Sequence, residues 1–140
     1  MFIKLHKSLH ISLLACAAAS FNVMAQTSVP SNTVELRGET PVILKGRLKG
    51  PDKDARDFVV HVKEGATLSV VLKSTRATST HFNILPPDSN EALFVGEMED
   101  KAEWKQAVKT GGDYTVRVYL NRAVARRGAK SDYTLSIASY

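Results

Sequence analysis

The sequence contains a single cysteine, Cys16, and it lies within the first 25 residues. Without those residues the chain can form no disulfide and has no thiol nucleophile. Histidine is also scarce: beyond residue 25 only His61 and His81 occur, and neither has a second histidine or a suitably spaced acid nearby. The sequence therefore gives no support for a metal site.

The usual signatures of enzyme active sites are missing too. The chain has no Gly-x-Ser-x-Gly elbow, no phosphate-binding glycine loop and no dinucleotide fingerprint. Two acidic stretches do occur, one containing Asp52, Asp54 and Asp57 and the other running from Glu97 to Glu103. A glycosidase would need one such carboxylate to be desolvated, whereas we expect both stretches to be exposed loops. We therefore predict a protein that is not an enzyme and requires no cofactor.

The first 25 residues have the pattern of a cleaved secretory signal. Lys4 and Lys7 give a positive start, residues 11–19 form a short apolar run, and Ala25 ends a small-x-small cleavage pattern. The run is shorter than the roughly 20 residues that span a bilayer, so we predict no membrane span. Processing at Cys16 would instead give a lipid anchor, but few apolar residues precede that cysteine. We expect cleavage after Ala25 and export of the remaining chain.

The remaining chain is long enough for one domain with a core. We expect residues 26–32 to form a flexible leader and residues 33–140 a single domain. Removal of Lys4 and Lys7 takes the formal net charge from +5 to +3, which is only mildly basic. Such a charge, in an exported protein, does not indicate a nucleic-acid partner. The oligomeric state does not follow from the sequence.

Apolar residues recur with a period of two along most of this domain, which is typical of half-buried strands. Turn-forming sequences separate the alternating runs. Runs at this spacing favour an all-β fold, an antiparallel β-sandwich of about eight strands. One short helical turn is expected at residues 122–127. The predicted strands cover residues 34–37, 42–48, 58–62, 68–72, 81–85, 93–96, 104–108, 114–120 and 133–137.

A basic segment follows the strand at residues 114–120. It contains Arg122, Arg126, Arg127 and Lys130, with Arg117 within the strand itself, and no acid occurs between Asp113 and Asp132. Guanidinium groups stay protonated and match carboxylates and phosphates as a rigid fork. A basic tip on a rigid strand indicates a surface for an anionic partner. On charge alone, we favour the simpler explanation that the segment is a solvated hairpin loop.

Several segments, in this order, resemble the periplasmic inhibitors of goose-type (g-type) lysozyme. The resemblance extends from about residue 42 to residue 137, and its most specific part is a strand that leads into two arginines four residues apart, Arg122 and Arg126. The segments that carry it are Gly50-Pro-Asp52, residues 57–65, Thr110-Gly-Gly-Asp-Tyr114, residues 117–128 and residues 132–137.

The resemblance implies a β-sandwich that occupies the substrate cleft of a muramidase. The expected partner is therefore a lysozyme of the goose type. Arg122 and Arg126 match the family's paired arginines and would be the anchors, with Arg127 beside them. The first loop, at Pro51 and Asp52, would add contacts. Family members carry a tyrosine where this chain has Pro51, which has no hydroxyl. Phe58 and Tyr119 are candidates for the missing aromatic contact.

A second interpretation is a carbohydrate- or cell-wall-binding β-sandwich without inhibitory activity. Parts of the sequence also resemble the small β-sandwiches appended to secreted peptidases. Such a module would present exposed aromatics, for example Trp104, Tyr119 or Tyr140, as stacking platforms, and its arginines would be solvated. The position of Arg122 and Arg126 distinguishes the two interpretations. An inhibitor would present both arginines beside the first loop as one protruding surface, whereas a binding module would have them spread apart and bound to neighbouring acids.

Overall fold

A computed structural model describes residues 28–140. The expected signal peptide, its cleavage site and Cys16 lie outside the described residues. The described chain forms nine strands and two short helices, of which α1 is Gly96–Glu99 and α2 is Arg122–Ala125. The strands are β1 Ser31–Val34, β2 Val42–Lys49, β3 Ala55–Val62, β4 Thr67–Ser74, β5 Thr80–Leu85, β6 Phe94–Val95, β7 Glu103–Ala107, β8 Gly112–Leu120 and β9 Lys130–Ser139.

The strands form two packed sheets. One sheet has the order β1-β3-β8-β5-β6 and the other the order β2-β9-β4-β7. All neighbouring strands are antiparallel except β1, which pairs with β3 in parallel. The architecture is the all-β sandwich that the period-two pattern predicted.

The core lies between the sheets and is filled by alternate residues of each strand. Val116 and Val118 of β8 are completely buried, as are Leu135 and Ile137 of β9. Tyr114 and Tyr133 share their parity and are also buried, as the alternation predicted. Burial of one such side chain contributes about 1.5–3 kcal/mol, so the pattern fixes which face of each strand points inward.

Several strand bounds and one helix differ from the sequence prediction. The strand expected at 58–62 begins three residues earlier, at Ala55. The strand expected at 34–37 lies instead at Ser31–Val34, where it pairs with Asp57–Val60 and continues the first sheet, so that residues 35–37 fall outside it. The last two residues of the expected leader therefore lie in β1. The strand expected at 93–96 is reduced to two residues because α1 begins at Gly96.

The connections at one end of the sandwich bring four strand ends together. β3 begins where β8 ends, with Ala55 opposite Tyr119. β2 ends where β9 begins, with Lys49 opposite Lys130. The loop between β2 and β3 and the segment between β8 and β9, which contains α2, therefore emerge at the same end. None of the helices in residues 28–140 is long and apolar enough to cross a membrane.

Candidate functional site

The basic segment begins with a capped helical turn. Asn121 is the N-cap of α2: its side-chain oxygen accepts a hydrogen bond from the Val124 amide at 3.2 Å. The Asn121 amide donates to the carbonyl of Ser79 at 2.8 Å, which ties the start of α2 to the β4–β5 turn. Ala125 is buried beneath the turn. The expected helical turn is thus present and is anchored on the sandwich.

Arg122 and Arg126 lie one turn apart on this segment. The Arg126 amide donates to the Arg122 carbonyl at 3.1 Å, so the two side chains leave neighbouring positions on one side of the turn. Both residues are exposed. Within residues 28–140, no carboxylate lies within ion-pair distance of either guanidinium. The turn therefore presents two unpaired guanidinium groups to solvent.

The first loop, residues 49–53, packs against α2. Lys49 and Lys53 close the loop through reciprocal backbone hydrogen bonds of 2.8 and 2.9 Å, and the Gly50 amide donates to the Ala129 carbonyl at 2.9 Å. Gly50 is buried against Ala125, and a Cβ added there would lie closer than 3.0 Å to the Ala125 backbone. The first loop and the arginine turn are therefore in direct contact.

Pro51 and Asp52 form the exposed tip of the first loop, after a cis Gly50–Pro51 peptide bond. The structure therefore places the predicted loop residues beside the segment that carries Arg122 and Arg126. They come together because β2–β9 and β3–β8 pairing brings both connections to one end of the sandwich.

Of the two aromatic candidates, Phe58 is buried in the core and cannot contact a partner. Tyr119 lies near the same end as the loop, on the outer face of the first sheet. Its ring packs near that of His81, with centroids 5.9 Å apart, and its hydroxyl points to a Glu97 oxygen at 3.5 Å. Partial burial and the negative charge of Glu97 raise the pKa of the Tyr119 phenol. Tyr119 and Arg122 line one depression of about 330 Å³, together with Asp54 and Glu97.

Glu97 is the residue of this region that sequence reasoning missed. It lies on α1, and the Asn121 side-chain amide also points to it at 3.4 Å. The sequence places Glu97 more than 20 residues from Tyr119, in a stretch interpreted as a solvated loop. No pattern in the sequence links the two, because their proximity depends on the packing of α1 against the first sheet.

Arg117 and Arg127 differ in their surroundings from Arg122 and Arg126, although Arg127 is also exposed. Arg117 forms a two-pronged pair with Asp57 across β3 and β8, at 2.7 and 2.8 Å, which neutralises its charge. Arg127 lines a groove that contains neither Arg122 nor Arg126. The expectation that Asp57 belongs to an exposed loop is wrong: Asp57 is buried within β3 because it pairs with Arg117.

The aromatic residues considered as stacking platforms do not form one surface. Trp104 packs near Phe94, with ring centroids 6.4 Å apart, and Tyr140 has the Lys105 ammonium 5.1 Å from its ring centroid. Tyr119, Trp104 and Tyr140 line different depressions. Among residues 28–140, no three of the histidines and acids lie close enough to hold a metal ion.

Comparison with known proteins finds its matches among solved structures. No protein-family model and no curated protein matches the sequence. A periplasmic lysozyme inhibitor of g-type lysozyme from Aeromonas hydrophila matches at 25% identity with a TM-score of 0.67, covering 81% of this chain and 100% of that one. An inhibitor of the same description from Salmonella Typhimurium matches at 16% identity with a TM-score of 0.59, with the same coverage.

A structure with a different description shares the fold. The pre-peptidase C-terminal domain of a collagenase from Bacillus anthracis matches at 18% identity with a TM-score of 0.61, covering 80% of this chain and 98% of that one. A mutant of the Escherichia coli g-type lysozyme inhibitor matches at 19% identity with a TM-score of 0.58, covering 81% of this chain and 100% of that one. The structural neighbours of this chain thus include periplasmic g-type lysozyme inhibitors from three species, which confirms the resemblance stated from the sequence.

Proposed function

We propose that this chain is a periplasmic inhibitor of g-type lysozyme that occludes the substrate cleft with Arg122 and Arg126. The descriptions of three structural neighbours supply the class of target. The observation that carries the proposal is the pair of exposed, unpaired arginines on a turn that contacts the first loop. A surface with this geometry is suited to insertion into a concave, acidic partner.

The physical basis of inhibition is electrostatic and steric. Muramidase clefts hold catalytic carboxylates, and a guanidinium binds a carboxylate through two parallel hydrogen bonds. Each arginine that becomes desolvated at the centre of the interface contributes about 2 kcal/mol or more, whereas charges on the rim contribute little. Because the proposed contacts with the enzyme are all noncovalent, inhibition requires no turnover and no cofactor.

The first loop and Tyr119 complete the proposed surface. Pro51 and Asp52 lie at the tip of the loop, next to α2, and supply shape and a hydrogen-bond acceptor. Tyr119 lines the depression beside Arg122 and offers an aromatic contact. Pro51 cannot donate the hydroxyl hydrogen bond of the tyrosine found in the family, so Tyr119 and the two arginines carry more of the binding in this chain.

The alternative function is that of a carbohydrate- or cell-wall-binding module. Its support is the shared fold of the collagenase pre-peptidase C-terminal domain. Against it stand the separate positions of Trp104, Tyr119 and Tyr140, since a stacking platform for a glycan chain needs aromatics on a continuous surface. The export signal proposed for residues 1–25 fits both functions, and so does release by cleavage after Ala25.

Inhibition assays with the mature protein test the proposal. We expect inhibition of a goose-type lysozyme and weaker or no inhibition of chicken-type and invertebrate-type enzymes. Arg122→Ala and Arg126→Ala should each weaken inhibition by about tenfold or more, equivalent to about 1.4 kcal/mol. Arg37→Ala is the matched control, because Arg37 is exposed in the loop between β1 and β2, at the opposite end of the sandwich.

Absence of inhibition by a folded sample would refute the proposal, and binding to purified peptidoglycan would then be measured. Equal loss of inhibition in the Arg37→Ala variant would show that overall charge, and not the arginine turn, is responsible.

A further inference from the structure

A second cationic feature lies beside the arginine turn and is separate from it. A groove of about 370 Å³ is lined by the cationic side chains of Arg76, Arg127 and Lys130. Gly128 and Ala129 also line it. The three side chains come from the β4–β5 turn, the segment after α2 and the start of β9. The groove contains no acidic residue.

The backbone around the groove is held in place by hydrogen bonds. Arg76 accepts from the amides of Ser79 and Thr80 through its carbonyl, at 3.0 and 2.9 Å. Its side-chain Nε donates to the Lys130 carbonyl at 2.8 Å, which fixes the guanidinium and leaves the terminal nitrogens available. Because the Arg76 guanidinium is preorganised by this hydrogen bond, it loses little conformational entropy when it binds an anion.

The backbone after α2 is closed by two further hydrogen bonds. The Gly128 amide donates to the Ala125 carbonyl at 2.9 Å, and the Ala129 amide donates to the Val124 carbonyl at 3.2 Å. Gly128 adopts a φ of 74°, the left-handed conformation that glycine allows at the end of a helix. The carbonyls of Val124 and Ala125 are therefore already partnered.

The surrounding charges also favour an anion. Lys49 lies directly opposite Lys130 on the neighbouring strand, and like charges at such positions repel each other. The nearest acid along β9, Asp132, is engaged by the Arg47 guanidinium. In the described part of the chain, no carboxylate lies within ion-pair distance of Arg76, Arg127 or Lys130.

We infer that Arg76, Arg127 and Lys130 form a binding groove for a phosphate monoester group. The charge of the groove selects this chemistry: a carboxylate carries one negative charge, whereas a phosphate monoester carries about −1.5 to −2 at pH 7 with three acceptor oxygens. Two guanidinium forks and one ammonium match those oxygens in number and charge. The phosphate can belong to a soluble molecule or to a lipid headgroup. This inference does not rest on lysozyme inhibition.

Nuclear magnetic resonance titration of the mature protein tests the groove. The probes are inorganic phosphate, with sodium chloride at equal ionic strength as the reference, and vesicles of phosphatidylcholine with or without phosphatidic acid. We expect phosphate to shift the amide signals of Arg76, Arg127 and Lys130 more than chloride does. Sedimentation with phosphatidic acid vesicles, beyond that with neutral vesicles, would identify the lipid as a source of the phosphate.

The variants distinguish this groove from general positive charge. Arg127→Gln removes one cation without breaking a hydrogen bond described here, and Arg76→Gln removes a second. Each should weaken phosphate or vesicle binding by about fivefold or more, whereas Arg37→Gln should change it by less than about twofold. Signal shifts no larger than those caused by chloride, or binding retained in Arg127→Gln, would overturn the inference.

Discussion

Neighbouring carboxylates decide which arginines of the basic segment are available to a partner. Arg117 is tied to Asp57 by two hydrogen bonds, and its pKa is raised above the ordinary value chiefly by that interaction. Arg122 and Arg126 have no such partner in the described chain. The segment is therefore not one uniform basic tip. It has a structural arginine, Arg117, followed by three exposed arginines without a carboxylate partner in the described chain, of which Arg122 and Arg126 lie together on the turn.

The pair formed by Asp57 and Arg117 should stabilise the fold. We expect Asp57→Asn to lower the free energy of unfolding by about 1–2 kcal/mol, because a charge-assisted hydrogen bond to a buried group is lost. This range is kept low because the Arg117 side chain is 37% exposed, and solvent screens the ion pair. Urea denaturation measures the change.

Asp113→Asn is the matched control for this substitution. Asp113 pairs with His61 across the same two strands, at 2.9 Å, but both side chains are about 70% exposed (69% and 71%). We expect a change of less than about 0.5 kcal/mol. If the two variants lost equal stability, burial would not be the reason for the strength of the Asp57 pair.

Tyr119 should titrate above the ordinary tyrosine range because of burial and, secondarily, because of Glu97. Glu97→Gln should lower the pKa of Tyr119 toward its usual value of about 10 but not reach it, since burial remains. The raised pKa means that Tyr119 contributes stability below about pH 10, which is lost as the pH rises through the folded-state pKa. Carbon-13 signals of the tyrosine rings follow the titration.

Glu99→Gln serves as the control, because Glu99 lies on the same helix and pairs with Lys101 at 3.9 Å. An unchanged Tyr119 titration in Glu97→Gln would contradict the contact between these two side chains.

At the scale of elements, the first loop and α2 behave as one unit. Gly50 lies against Ala125 with no room for a Cβ, and its amide bonds to Ala129. The position of Arg122 and Arg126 relative to the loop therefore depends on a glycine at residue 50. This dependence is a property of packing, because the φ of Gly50 is not in the left-handed region.

Gly50→Ala should displace α2 from the first loop. Overpacking of this kind costs about 1–3 kcal/mol, and the amide signals of Ala125 and its neighbours should shift. The proposed inhibition should weaken with the displacement, because the two parts of the surface separate. Gly65→Ala is the control. Gly65 has a φ of 80° but nothing within 4 Å of an added Cβ. The Gly65→Ala variant should therefore lose stability without shifting the amide signals of α2. Unshifted α2 signals in Gly50→Ala would contradict the contact.

The elements most accessible to sequence analysis were those with regular periodicity. The alternation at residues 114–120 and 133–137 predicted two strands and the face of each that points inward. It also predicted the burial of Tyr114 and Tyr133, which the structure shows. The helical turn expected at residues 122–127 is present as Arg122–Ala125, and the structure shows that the Asn121 side chain caps its start.

Features that depend on tertiary pairing could not be predicted in the same way. The contact between Arg117 and Asp57 joins residues 60 positions apart, and it follows from the register of β3 against β8. The position of β1 at Ser31–Val34 follows from its parallel pairing with β3. This pairing produces no recognisable pattern in the sequence of residues 31–34. The separation of Arg127 from Arg122 and Arg126 likewise required the position of Arg76, a residue on another turn.

At the scale of the molecule, the two sheets support the end of the sandwich that carries the proposed site. The connections β2–β3 and β8–β9 meet there because β2 pairs with β9 and β3 with β8. A surface held by two connections between paired strands loses little entropy on binding. The proposed inhibitor thus uses the sandwich to position Arg122 and Arg126, and the separate groove lies on the same end without sharing those residues.

The most direct test of cleft occlusion is competition between this protein and a saccharide for g-type lysozyme. Calorimetry would give the Kd of the mature protein for the enzyme, alone and with the cleft saturated by an N-acetylglucosamine oligomer. Occlusion of the cleft predicts that the apparent Kd rises linearly with the free saccharide concentration, and that the Arg122→Ala, Arg126→Ala double variant binds weakly in both conditions. A Kd that is unchanged by the saccharide would contradict occlusion of the cleft.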